Sequence, residues 1–240
     1  MRQLRTNIYD YLMTWVKICG TTNLDDAVAS SEAGADALGF IFAPSPRQID
    51  RSTAKKIVSQ LPPQVEKVGV FVNESTDRIR EIVAEVGLTA VQLHGDEDAE
   101  FIRQLHNGWN RGEAGNIEII KVLVVNPGFE LKANGFADSQ VDRFLLDSCS
   151  ALRGGSGVSF EMSQAADFLR RYPRTIIAGG LDVSSVADLV RKHRPGGVDV
   201  VTGVEREPGR KDHKKVRAFV AAVRQADSPQ QQAAISQARP

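Results

Sequence analysis

Cys19 and Asp147 each stand as the last side chain of a short apolar run, VKIC in one case and FLLD in the other. A thiolate at a strand end can act as a base or nucleophile. A carboxyl group walled by apolar side chains can act as a general acid. Both residues also have plainer roles, since free Cys packs as a small buried hydrophobe and a lone Asp commonly forms a turn or a cap. Lys17 precedes Cys19 by two residues and so shares its strand face. From there its ammonium can lower the thiol pKa or pair deeper in the fold.

Three glycine-bearing segments follow late apolar runs: GGSG (Gly154, Gly155, Ser156, Gly157), AGG (with Gly179 and Gly180) and TG (Thr202, Gly203). Glycines let backbone N–H groups approach a phosphate closely, and the hydroxyls of Ser156 and Thr202 can add donors. A single such pair is equally well a tight turn. The occurrence of three favours phosphate binding. Arg47, in SPR, has the planar fork that suits a carboxylate, although an isolated arginine is more often a solvated surface group. Asn73, Gln92 and His94 end two further runs and are candidate substrate contacts; for His94 a structural role is as well supported. Cys149 reads as a bystander, and RKDHKK at 210–215 as the solvated face of a final helix. No group of His, Cys and carboxylates has metal-ligand spacing and no dinucleotide fingerprint is present, so neither metal nor cofactor is expected.

The elements that must position these residues repeat. The runs WVKIC, ADALGFIF, EKVGVFV, TAVQLH, IEIIKVLV, VDRFLLD, RTIIA and GVDVV alternate with helical stretches near 23–34, 51–60, 75–86, 97–106, 128–138, 161–171, 183–193 and 211–224. Asn23, Ser75 and Asp182 are expected N-caps. The stretch at 128–138 is a poor helix, with glycines and a proline close by. Alternating strands and helices imply βαβ units, a parallel sheet and, with eight units, a single-domain α/β (β/α)8 TIM barrel. Such a barrel keeps its active site at the C-terminal strand ends, where the residues above fall. Phosphate in this fold often sits at loops seven and eight, which would place Cys19 on strand one and Asp147 on strand six to either side of it.

Thirty basic and thirty acidic residues cancel, which removes the charge argument for a nucleic-acid partner. Two cysteines in 240 residues are no disulfide framework and suit a reducing, cytoplasmic setting. No stretch has the roughly 18–20 apolar residues needed to cross a membrane. Residues 1–14 read as an N-terminal extension lacking the apolar segment of a secretory signal, 15–225 as the catalytic barrel, and 226–240 as a disordered polar tail. NGWNRGEAGN at 107–116 reads as a long exposed loop.

VKICGTTNLDDA, the SPR loop, VGVFVN, VQLHGDE, LLDS, GGSG, IIAGGL and GVDVVTGVE with PG and KD after it occur in order from about Trp15 to Val223. Together they resemble the phosphoribosylanthranilate isomerases of tryptophan biosynthesis. The resemblance implies a (β/α)8 barrel that performs an Amadori rearrangement on a small phosphoribosyl substrate, without cofactor or metal, as a monomer or homodimer. It implies Cys19 as general base, Asp147 as general acid, Arg47 on the anthranilate carboxylate, and the loops at 154–157, 179–180 and 202–203 on the phosphate. Val158 and Val201 depart from the polar residues frequent there. Two alternatives are a barrel isomerase of another ribonucleotide and a non-catalytic phosphoribosyl-binding protein. The first would typically carry Asp where Cys19 stands, and the second would need no acid–base pair.

Overall fold

A computed structural model of the chain describes residues 13–109, 117–125, 134–136, 140–147 and 162–228. Eight strands, β1 (Trp15–Cys19), β2 (Ala37–Ile41), β3 (Glu66–Phe71), β4 (Ala90–Leu93), β5 (Glu118–Val124), β6 (Arg143–Asp147), β7 (Ile176–Ala178) and β8 (Gly197–Val200), form a closed parallel barrel in chain order. β1 closes the ring against β8, with Trp15 opposite Gly197 and Lys17 opposite Asp199. The helices α1 (Leu24–Glu32), α2 (Arg51–Val58), α3 (Thr76–Val86), α4 (Ala99–Trp109), α5 (Met162–Arg171), α6 (Val186–His193) and α7 (His213–Ala226) intervene. The expected barrel is therefore the fold.

Period-two alternation divides each strand between two cores. One set of side chains, with Val16, Ile18, Leu38, Phe40, Val91 and Val198, packs outward against the helices. The other, with Ala37, Val68, Ala90, Ile120, Leu145 and Ile176, fills the barrel. Its floor is polar. Arg143 lies 4.4 Å from the Trp15 ring centroid and forms ion pairs with Glu66 at 2.8 Å and Glu118 at 2.9 Å. These four residues open β6, β1, β3 and β5, so they plug the N-terminal mouth and leave the opposite rim for chemistry.

Local signals explain the element ends. Asn23 and Ser75 cap α1 and α3 as expected, accepting from the backbone N–H groups of Asp26 and Arg78. Asp182 does not cap α6. Its Oδ1 accepts from the N–H groups of Ser184 and Ser185, so it shapes the turn ahead of the helix, whose cap position is Ser185. Helix α4 runs to Trp109, into the stretch expected to be loop; residues 110–116 lie outside those described. In place of a fifth helix at 128–138, the described residues hold only a 3-10 turn, Asn134–Phe136. Residues 1–12 and 229–240, which include most of the expected extension and tail, also lie outside the described residues. Thr14 and Asp227 do not behave as extension and tail, because Thr14 donates from N and Oγ1 to the Asp227 carboxylate, both at 2.8 Å.

One element has no counterpart in the alternation. A hairpin, β9 (Glu205–Glu207) and β10 (Arg210–Lys211), lies between β8 and α7. It corrects the reading of RKDHKK as a solvated helix face. Lys211 is a wholly buried strand residue, and the helix begins only at His213, capped by Asp212.

Candidate active site

Cys19 and Asp147 are the last residues of β1 and β6, on the C-terminal rim, with β7 and β8 between them around the ring. Cys19 is buried and pairs in register with Gly39 of β2. The absence of a side chain there gives the sulfur its space, since a Cβ on Gly39 would lie 2.6 Å from Cys19 Sγ. The Gly39 carbonyl also accepts from the N–H groups of Gly20 and Thr21, which holds the turn after the cysteine.

Lys17 lies below Cys19, fully buried, with its Nζ 3.0 Å from Asp199 Oδ1 on β8. The two roles considered for this lysine are thus combined. It pairs inside the barrel and it also bears on the thiol. Burial by itself lowers the Lys17 pKa, but Asp199 and then Cys19 outweigh it and the net shift is upward. The expected fall of the thiol pKa is not found. Burial raises it, Lys17 pulls it down, Asp199 raises it again, and the balance lies above the ordinary value of 9.0. A buried thiolate loses more hydration than one ammonium restores once that ammonium is shared with a carboxylate.

Asp147 Oδ2 is 3.3 Å from His94 Nε2, and His94 Nδ1 is 3.3 Å from Gln92 Nε2. An amide nitrogen only donates, so with Gln92 Nε2 as donor Nδ1 is the acceptor and Nε2, facing Asp147, is the nitrogen that carries hydrogen. Gln92, His94 and Asp147 thereby form one chain across β4 and β6. Beneath it, Glu97 accepts from the N–H groups of Asn73 at 2.8 Å and Gly95 at 2.9 Å, and pairs with buried Lys121 at 2.8 Å. The Asn73 side chain is engaged in this same loop junction, where its Oδ1 accepts from Asp96 N at 2.7 Å.

The loops after β7 and β8 meet. Gly179 and Gly180 both have positive φ. Gly203 packs so closely on the Leu181 carbonyl that a Cβ there would collide with it. Thr202 and Gly203 open a short 3-10 turn directly above β8. The loops after β7 and β8 therefore meet on the side of the rim between Cys19 and Asp147. Gly154, Gly155, Ser156 and Gly157, like Cys149 and Val158, lie outside the described residues.

Arg47 reaches over the rim from the loop after β2, and its guanidinium is held side-on by Glu205 through Nε and Nη2. Glu205, Lys211 and Asp199 did not emerge from the sequence as site residues. A charged residue inside each of VKIC and GVDV was the available sign that strands one and eight share a buried ion pair. Glu205 and Lys211 stand within the GVDVVTGVE and KD motifs, but nothing in either motif names Arg47 as the partner.

This arrangement sets a buried thiol, a carboxyl group, two glycine-bearing loops and a guanidinium around one rim. A sequence model of N-(5'phosphoribosyl)anthranilate (PRA) isomerase matches residues 16–222. The N-(5'-phosphoribosyl)anthranilate isomerase of Chlorobaculum tepidum is 44% identical over 223 residues, which span 90% of this chain and 97% of that protein. That of Myxococcus xanthus is 45% identical over 212 residues, 87% of this chain and 95% of its own length. The crystal structure of the Thermotoga maritima phosphoribosyl anthranilate isomerase superposes with a TM-score of 0.77 at 39% identity, covering 89% of this chain and 100% of that one. A phosphoribosyl anthranilate isomerase in complex with reduced 1-(o-carboxyphenylamino)-1-deoxyribulose 5-phosphate superposes with a TM-score of 0.76 at 37% identity, with the same coverage. On sequence and fold together, the chain belongs to the N-(5'-phosphoribosyl)anthranilate isomerase family.

Proposed function

We infer that Cys19 and Asp147 are the base and the acid of the reaction for which this family is named. The chain is an isomerase of tryptophan biosynthesis. It catalyses the Amadori rearrangement of N-(5-phosphoribosyl)anthranilate to 1-(2-carboxyphenylamino)-1-deoxyribulose 5-phosphate. The observation that carries the assignment of roles is the place of the two residues on one rim, either side of the glycine loops of β7 and β8.

Asp147 gives its proton to the ribose ring oxygen as the C1–O bond breaks, and the anthranilate nitrogen lone pair forms the iminium. The Cys19 thiolate then takes the proton from C2, and the enolamine so formed tautomerises to the ketone. Each step is a proton transfer that a positioned side chain can provide, typically 10²–10⁴-fold apiece. His94 Nε2–H orients the Asp147 carboxyl group, and Gln92 fixes the His94 tautomer. Lys17 is the counter-ion that favours the thiolate form from which Cys19 takes the C2 proton. Gly179, Gly180, Thr202 and Gly203, with 154–157, hold the 5-phosphate, and Arg47 holds the ring carboxylate. Asn73 contributes through the loop it fastens to Asp96.

Residues 15–225 form the catalytic unit in this reading, working in the cytoplasm as a monomer or homodimer. One Thermotoga maritima relative is described as dimeric. Among the described residues no helix is long and apolar enough to cross a membrane.

The test generates the substrate in situ and follows loss of its anthranilate-type fluorescence. Wild type should consume it rapidly and Cys19→Ala should not. Asp147→Asn should lower kcat by on the order of 10²–10⁴. Near-wild-type turnover by Cys19→Ala would remove the base assignment.

A further inference from the structure

We propose that Glu205, on the hairpin β9–β10, is a positioning residue that presents one edge of Arg47 to the ring carboxylate of the substrate. The proposal rests on the reading that Arg47 binds that carboxylate.

The geometry is specific. Arg47 Nε lies 2.8 Å from Glu205 Oε1 and 3.1 Å from Oε2, and Nη2 lies 2.7 Å from Oε2. A guanidinium has five N–H donors in one plane. The side-on pair uses Nε–H and one Nη2–H, and leaves the end-on fork of Nη1 and Nη2 for a second carboxylate. Glu205 is 5% exposed and Arg47 17%, so the occupied edge faces inward and the guanidinium still reaches the opening.

Glu205 is itself held from below. Its Oε1 accepts from Gly209 N at 3.2 Å and pairs with Lys211 Nζ at 3.1 Å. Lys211 Nζ donates to the Cys19 carbonyl at 2.5 Å. The same hairpin is tied to the loop after β1, where Thr22 Oγ1 donates to the Gly209 carbonyl, and to the first turn of α1, where Asp26 Oδ2 accepts from Lys211 N at 2.8 Å. One carboxylate thus links the end of the strand bearing the thiol, through Lys211, to the guanidinium.

Two physical consequences follow. A long side chain loses rotamer freedom when it grips a ligand, and a guanidinium already fixed by Glu205 has lost it beforehand. Glu205 occupies only the inner edge of Arg47, so the end-on pair of N–H donors stays free for a carboxylate on the ring. A Glu205 that served folding alone would be indifferent to whether the ligand carries that substituent.

The experiment measures, by calorimetry, binding of the reduced product analogue 1-(o-carboxyphenylamino)-1-deoxyribitol 5-phosphate and of its counterpart without the ring carboxylate. The readout is the ratio of the two affinities in wild type, Arg47→Met, Glu205→Gln, Glu205→Asp and the Arg47→Met/Glu205→Gln double variant. Glu205→Asp keeps a charge for Lys211 while drawing the carboxylate one methylene away from Arg47, so it decides the matter if Glu205→Gln does not fold. Wild type should prefer the carboxylated ligand, and Arg47→Met should abolish the preference. Each Glu205 variant should reduce it about three- to tenfold, the ordering cost of one long side chain, with the other ligand nearly unaffected. Glu205→Gln should change the ratio no further in the Arg47→Met background. A ratio unchanged in both Glu205 variants, with Arg47→Met still losing it, would overturn the positioning role alone. Equal weakening of both ligands would do the same. A ratio that survives Arg47→Met would overturn the Arg47 reading as well.

Discussion

Replacing Lys17 by Met removes an ammonium that is completely enclosed, with Asp199 on one side and the Cys19 thiol on the other. Lys17 Nζ and Asp199 Oδ1 are 3.0 Å apart, a distance at which two unit charges attract by about 5–6 kcal/mol for an effective dielectric near 20. Part of that attraction offsets the desolvation of the two ions. What the variant loses is closer to the cost of stranding one buried charge, roughly 3–5 kcal/mol. Methionine matches the lysine stem in length, so a cavity contributes little. Urea unfolding of Lys17→Met should therefore show a loss of roughly 3–5 kcal/mol, most of it recovered in Lys17→Met/Asp199→Asn, where both charges are gone. The thiol supplies a second readout. In a Cys149→Ser background Cys19 is the remaining cysteine of the chain, and its thiolate absorbance can be titrated in the ultraviolet. The midpoint should lie above 9.0 in the parent, because burial outweighs Lys17. It should rise in Lys17→Met, where Asp199 alone opposes the thiolate, and fall back in the double variant. Unchanged stability of Lys17→Met, or a thiol that titrates at the same or a lower pH, would refute this account of the pair and of its hold on the base.

Gly39→Ala places a methyl group 2.6 Å from Cys19 Sγ, and a displaced thiol should lower kcat on the order of 10²-fold while phosphate-ligand affinity is kept. Steady-state kinetics beside calorimetry would check both halves. Asp26 has a pKa below its ordinary 3.8; burial opposes this, and hydrogen bonds from Lys211 N, Asn23 and His213 prevail. A depressed folded-state pKa contributes stability above the unfolded value, and that contribution is lost as the pH falls through the folded value. Asp26→Asn should thus narrow the difference between urea midpoints measured at about pH 6 and about pH 3. Glu97→Gln leaves buried Lys121 without its charge partner and should cost roughly 3–5 kcal/mol, with the larger share recovered by adding Lys121→Met.

Much of this was legible in the sequence because βα repetition is a local signal. Apolar runs of strand length, Asn23 and Ser75 as caps, and turn glycines each act within a few residues. The rim position of Cys19 and Asp147 followed from the fold alone, since both end a run. What stayed hidden depends on distant partners. Asp182 looks like a cap by its neighbours, yet Ser184 and Ser185 take its carboxylate. Lys211 looks solvated in RKDHKK, yet its partners are the Cys19 carbonyl and Glu205. The direction of the Cys19 pKa was missed for a related reason. The nearby lysine is visible in VKIC, whereas complete burial and the sharing of that lysine with Asp199 belong to the assembled barrel.

Ring closure gives the barrel an order of events. β1 takes one neighbour, β2, almost at once, but its other neighbour is β8, and the Thr14–Asp227 clasp beside it joins residues 213 positions apart. Of the eight barrel strands, the first to be synthesised is the last to be completed. Until β8 and α7 arrive, β1 presents an unpaired edge, with Lys17 lacking the carboxylate that balances it. Open edges of this kind invite pairing with other chains, and contacts of such long range form slowly. A nascent chain halted before β8 would carry its cysteine on a sticky, half-built strand. The demand on chaperones should therefore be greatest just before β8 and α7 are made, and a circular permutant that makes β8 and β1 consecutive should fold faster without any change to the finished rim.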